Sequence, residues 1–260
     1  MINKGELTMR ENSAIRALVK YFGTNEKNTI RFHGSKDNLC DFLMAEEEYT
    51  IKGFDAPDFY IKDDKNRIVY IIEHFEIDCY KKGRKGSGFR LDESRIDKRI
   101  KEFQKEYAEG EYHDIISAET SYDFYIKNII ETFEKHYNHI QLYKDNLNTF
   151  LSLNDNWHFK VMFFIEDVSP LGTQAYDRST SEMKLVNIAA SKEFLTFYKE
   201  KEEVDYILSC SSCNNENDIW FIDRNNLDEY VNNAENYSQM QFMDWNPHVF
   251  YFQTELRQDT

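Results

Sequence analysis

Residues 67–77 read RIVYIIEHFEI, a run rich in β-branched and aromatic residues with a carboxylate near its middle. A strand alternates its side chains, so Val69, Ile71, Glu73 and Phe75 share one face, and Tyr70, Ile72, His74 and Glu76 share the other. Glu73 thus stands between apolar neighbours, where an unpaired carboxylate is costly to bury. Upstream, Pro57 precedes a short strand, Asp58 to Lys62, and Asp63-Asp64-Lys65-Asn66 forms a turn cluster. A hairpin of these two strands can bring Asp58 to Glu73. Two adjacent carboxylates repel unless a cation compensates, and Mg²⁺ or Mn²⁺ suits such a pair because hard cations take oxygen ligands and keep several waters. Ions held in this way can activate a water and stabilise a leaving oxygen in phosphodiester cleavage.

The rest of the chain supplies enough apolar matter for a sizeable core. Of its 260 residues 41% are hydrophobic and 15% aromatic, with only 9 Gly and 3 Pro, which disfavours disorder and excludes collagenous and Pro-rich classes. With 32 basic and 47 acidic residues the net charge is −15. That balance argues against a general nucleic-acid coat or a binder of anionic membranes, but it allows an enzyme with a local basic track. No stretch approaches the length of a membrane span, and the opening residues lack the apolar segment of a signal peptide. Four cysteines, Cys40, Cys79, Cys210 and Cys213, do not form a disulfide scaffold. The expectation is a soluble, cytoplasmic protein with free thiols and no membrane partner.

Periodicity predicts helices over 5–22 and 37–50, the hairpin at 58–77, a Gly-rich basic loop at 81–90, and long helices over 91–109 and 119–152. Strands follow at 159–166, 184–189, 204–210 and 218–223, with helices at 191–202 and 226–233. This alternation predicts an α/β fold with a mixed or largely parallel sheet covered by helices. A soft division near 155 separates a core, 1–155, from a C-terminal α/β region, 156–260, which can also be part of the same domain.

The order of elements (a helix with an acidic end, PD, a hairpin, E inside a strand, then a helix) resembles the PD-(D/E)XK restriction-endonuclease-like nucleases. More narrowly, PDFYIKDDKNRIVYIIEHFEID resembles the variant in which an E-H-[FL] triplet closes the third strand, found in nuclease-like domains attached to some superfamily-one helicases and in stand-alone bacterial proteins. The resemblance covers roughly residues 37–140. It implies a restriction-endonuclease-like mixed sheet, a magnesium-dependent nuclease with Asp58 and Glu73 as metal ligands (Mn²⁺ substituting), and a supporting acid from the preceding helix, Glu47 or Glu48. The family's lysine two residues after the glutamate is Phe75 in this chain. A lysine from a helix is expected instead: Lys127 first, then Lys135, then Lys98.

Lys81, Lys82, Arg84, Lys85 and Arg90 fall within ten residues of an otherwise acidic chain, with Gly83, Gly86 and Gly88 between them. Such an island can hold substrate phosphates, DNA rather than RNA, although a solvated loop is its ordinary meaning. His74 points away from Glu73 and reads as a satisfied core histidine that can support the site from behind. Cys210-Ser-Ser-Cys213 lacks the second ligand pair that zinc needs. Glu166 and Asp167 end a strand, and the aromatic segment QFMDWNPHVFYFQ reads as packing. No P-loop, dinucleotide fingerprint or nucleophile elbow is present. The leading expectation is a metal-dependent DNA nuclease, with a defence or mobile-element role by analogy with the resembled family, acting as a homodimer or with a partner protein. The alternatives are a catalytically inactive nuclease-fold module and an acidic mimic of nucleic acid, the latter opposed by the basic island.

Overall fold

The computed structural model describes residues 31–33, 51–83, 86–106, 110–116, 119–169, 174–177, 179–211, 218–239, 241–242 and 250–256. The expected helices over 5–22 and 37–50, with Glu47, Glu48 and Cys40, lie outside the described residues, as do Arg84, Lys85 and Cys213.

The central hairpin forms where the turn residues and the alternating pattern predict it. β3 (Phe59–Asp63) and β4 (Ile68–Ile77) pair antiparallel, with Phe59 opposite Ile72 and Asp63 opposite Ile68. Asp63 builds the turn: its carboxylate accepts from the amides of Lys65 and Asn66 at 3.0 and 3.1 Å and from Asn66 Nδ2 at 2.6 Å. Arg67 closes the turn with φ of 56°. Because this turn fixes the register, residue 58 is delivered opposite residue 73.

Among the described residues the largest sheet has seven strands in the order β1-β12-β11-β8-β4-β3-β2. β1 is Arg31–His33, β2 Lys52–Gly53, β8 His158–Asp167, β11 Tyr206–Ser211 and β12 Asp218–Asp223. β8 runs parallel to β4 along its whole length and β11 runs parallel to β8, while β2–β3, β3–β4 and β11–β12 are antiparallel. The sheet is therefore mixed and helix-flanked, as the strand–helix alternation predicts. The soft division near 155 falls inside it, since β8, β11 and β12 extend the sheet begun by β2, β3 and β4.

Two helices lie over the Glu73 face. In α2 (Tyr122–Tyr137) the Ser121 hydroxyl accepts from the Phe124 amide as an N-terminal cap, and Tyr125, Ile129, Phe133 and His136 form a buried stripe at helical spacing. α3 (Ile140–Leu151) buries Ile140, Tyr143 and Leu147. The single long helix expected over 119–152 is thus broken at Asn138 and His139, whose turn re-aims the chain. The core joins Val69, Ile71, Phe75 and Ile77 of β4 to Val161, Phe163 and Ile165 of β8, and Phe133 packs edge-on against Phe163, Phe194, Phe197 and Tyr198. The last three rings come from α4 (Lys192–Lys199), with α5 (Leu227–Asn232) beside it.

The basic loop at 81–90 is a tight ribbon, β5 (Lys82–Gly83) with β6 (Gly86–Ser87), followed by α1 (Gly88–Glu106), which starts three residues earlier than its periodicity predicts. β7 (Gly110–Ile116) pairs antiparallel with β14 (Phe250–Leu256), so part of the aromatic tail is a strand. β9 (Gln174–Asp177), β10 (Glu182–Leu185) and β13 (Gln241–Phe242) form a separate small sheet. Among the described residues no helix is long and apolar enough to cross a membrane.

Candidate functional site

The hairpin register brings the two predicted acids together. The Asp58 amide donates to Glu73 Oε2 at 3.2 Å, and Asp58 Oδ2 accepts from the His74 amide at 2.8 Å. Glu73 Oε1 accepts from His136 Nδ1 and from the Tyr143 hydroxyl, each at 2.8 Å. Each helix over this face therefore lends one side chain to the same carboxylate oxygen, and the break at Asn138 and His139 lets both reach it. Glu73, His136 and Tyr143 are buried.

His136 is positioned by Phe75. The two rings stack nearly parallel, 10° apart with centroids 4.8 Å apart. Phe75 is thus an apolar platform, and the histidine on it supplies the N–H beside Glu73 that a phenyl ring cannot. Neither His136 nor Tyr143 stands out in the sequence. The one trace of them is that His136, Tyr143 and Leu147 continue the buried stripe with polar atoms in it.

The Asp58 carboxyl is pushed up to about 6, first by burial and then by the charge of Glu73, against the lowering effect of its hydrogen bond to the His74 amide. Its anion is thus poorly compensated by the protein, and Asp58 Oδ1 accepts no hydrogen bond from the described residues. That is the chemistry a divalent cation relieves. Among the described residues no three His, Cys, Asp or Glu side chains form a ready-made metal cage. The residues present fit a two-carboxylate site completed by water, which Mg²⁺ accepts.

His74 lies on the opposite face, as the pleat predicts. It is buried, with Nε2 3.3 Å from Glu166 Oε2 and its ring 4.9 Å from that of Phe164. It serves the site through its backbone amide. Asp167, beside Glu166, accepts from the Tyr125 hydroxyl at 3.2 Å and the Ser169 amide at 2.9 Å.

The lysines expected from helices do not join the acids. Lys127 is exposed and 3.7 Å from Glu131, one turn further along α2. It precedes His136 by nine residues, about 13 Å along the helix axis. Lys135 is exposed, and Lys98 lies in α1 beside Glu102 at 4.0 Å. Of the basic island, Lys81 bonds Glu119 and Lys82 donates to Thr132 Oγ1 at 3.2 Å. Both are used within the fold, and the Lys82 ammonium is shifted downward by burial. Arg90 falls in α1. Cys79 and Cys210 are buried and outside any disulfide, and burial pushes the Cys79 thiol up to about 12, which disfavours the thiolate.

Compared with known proteins, the chain matches no family model, no curated protein and no solved structure.

Proposed function

We propose that the chain is a divalent-metal-dependent nuclease that hydrolyses phosphodiester bonds, with DNA as the favoured substrate and Asp58 and Glu73 as the carboxylate pair. The observation that carries this reading is the hairpin register, which sets the two acids side by side with the Asp58 anion undercompensated. Mg²⁺ or Mn²⁺ bound there would supply the positive charge that acidifies water and neutralises a phosphate. Asp58 offers its free oxygen. Glu73 is fixed in orientation by His136 and Tyr143, and Phe75 stacks on the His136 ring. The hairpin that carries Asp58 and Glu73, followed by helices, supports this reading.

A second reading, a nuclease-fold module that binds nucleic acid without cutting, is favoured by one specific observation. Both oxygens of Glu73 already accept from protein donors, and no lysine among the described residues joins them. Incubation with plasmid, single-stranded DNA and RNA in Mg²⁺, Mn²⁺ or EDTA separates the two. The nuclease reading expects metal-dependent cleavage that disappears in Asp58→Ala and Glu73→Ala while circular dichroism is unchanged. Full cleavage by Glu73→Ala removes the site assignment, and binding without cleavage in any metal establishes the module.

A further inference from the structure

Asp58, just before β3, and Tyr60 and Lys62 within it alternate onto one face, which sets Lys62 about 13 Å along the chain from Asp58, with Tyr60 buried between them. On that face stands a cluster of three rings. Phe54 lies 5.0 Å from Phe150 and 6.0 Å from Tyr60, and Tyr60 lies 6.3 Å from Phe150. Phe150 is 60% exposed, the most open large apolar side chain among the described residues. Cations sit on the neighbouring rings: Lys52 Nζ is 5.9 Å from the Tyr60 centroid, and Lys62 Nζ, which also donates to Asp64 Oδ1 at 2.6 Å, is 4.6 Å from that of Trp157.

The same helix ties this cluster to the acids. Along α3, Tyr143 bonds Glu73, Asn146 Nδ2 donates to the carbonyl of Ala56 at 3.0 Å beside the Pro57-Asp58 step, and Phe150 reaches Phe54. These positions are three and seven residues apart, one face of a helix. A single exposed phenylalanine is ordinary on a protein surface. This one is held against two further rings, flanked by lysines in a chain of net charge −15, and mounted on the helix that orients the candidate site.

We infer that Phe150, backed by Phe54 and Tyr60, is a stacking platform for an unpaired base of a single-stranded nucleic acid, with Lys52 placed for a flanking phosphate. The inference deepens the nuclease reading and rests on it for the direction in which the strand runs. Stacking on an aromatic ring accepts every base, because every base has a π face. A paired base inside a duplex has no face to offer, so the platform selects single strands or frayed ends.

The test uses the whole chain in EDTA, which suspends metal-dependent cleavage, and a fluorescein-labelled oligothymidine followed by anisotropy, beside a duplex of equal length. Wild type is expected to prefer the single strand. Phe150→Ala is expected to weaken that binding about tenfold, the loss of one stacked base, and to leave duplex binding unchanged. Phe150→Trp is expected to retain binding, with its indole fluorescence quenched by the oligonucleotide. The inference is overturned if wild type does not bind the oligothymidine or prefers the duplex, if Phe150→Ala binds like wild type, or if the indole does not respond. Because binding is read without metal, a protein that stacks the strand but never cleaves defeats the nuclease reading alone. A protein that cleaves with Phe150→Ala binding normally defeats the platform alone.

Discussion

Asp58 and Glu73 clasp one another through the backbone: the amide of the first donates to the side chain of the second at 3.2 Å, and the Asp58 carboxylate accepts from the next residue's amide, that of His74, at 2.8 Å. Neither acid can turn away without losing a hydrogen bond. The arrangement holds two carboxylates in proximity at a cost, and that cost is measurable.

The Asp58 carboxyl, raised from its ordinary value of 3.8 to about 6 by burial and by Glu73, favours its protonated form in the folded chain. The stability linked to this group is present in full below 3.8 and lost as pH rises through 6. Asp58→Asn keeps an acceptor for the His74 amide and carries no charge. It should be more stable than wild type at alkaline pH in chelator, by ~2–3 kcal/mol, with the gap closing at acid pH. Urea melts across this pH range check the slope; equal stability at every pH contradicts it.

Tyr143→Phe removes one of two donors to a buried carboxylate oxygen and should cost about 1–3 kcal/mol. His136→Ala removes the other donor together with the ring stacked on Phe75, and should cost more. Denaturation of each variant gives the values. If metal-dependent cleavage is found, both should lower it, since Glu73 would no longer be held in one orientation.

Lys127 projects from the wrong turn of α2 and already has Glu131 beside it. Lys127→Ala should therefore leave any cleavage rate within about twofold of wild type, the range expected of an exposed substitution remote from the chemistry. A loss as large as that of Glu73→Ala would show that the helix presents its lysine to the substrate after all.

A fragment of residues 1–155 lacks β8, which pairs with all of β4, and loses Phe163, Phe194, Phe197 and Tyr198 from around Phe133. That many lost core contacts exceed the net stability of an ordinary domain. The fragment should lack dispersed amide resonances and a cooperative melt.

The sequence was most legible where local chemistry acts alone. The Asp63 turn, the alternation through Glu73 and the apolar run of β8 each specify their element, and residues 218–223 form β12 at the predicted bounds. Legibility failed where a tertiary partner decides. β7 is a strand because β14, well over a hundred residues away, pairs with it. The break at Asn138 and His139 interrupts a continuous apolar stripe and carries no proline or glycine to announce it. The candidate site followed the same rule: the adjacency of Asp58 and Glu73 was readable from turn register and from the cost of a carboxylate in an apolar strand. His136 and Tyr143 were not, because a helix that crosses a sheet meets a given strand position only in three dimensions. The lysine expected in their place was sought by residue type, whereas the fold set a histidine on the ring of Phe75.

The central claim is that Asp58 and Glu73 together hold a divalent cation, and a crystal soaked in manganese and measured at the manganese absorption edge tests it most directly. An anomalous peak within bonding distance of both Asp58 Oδ1 and Glu73, absent from Asp58→Asn crystals treated alike, is the predicted result. No peak between the two acids, with Glu73 still held by His136 and Tyr143, would contradict the account.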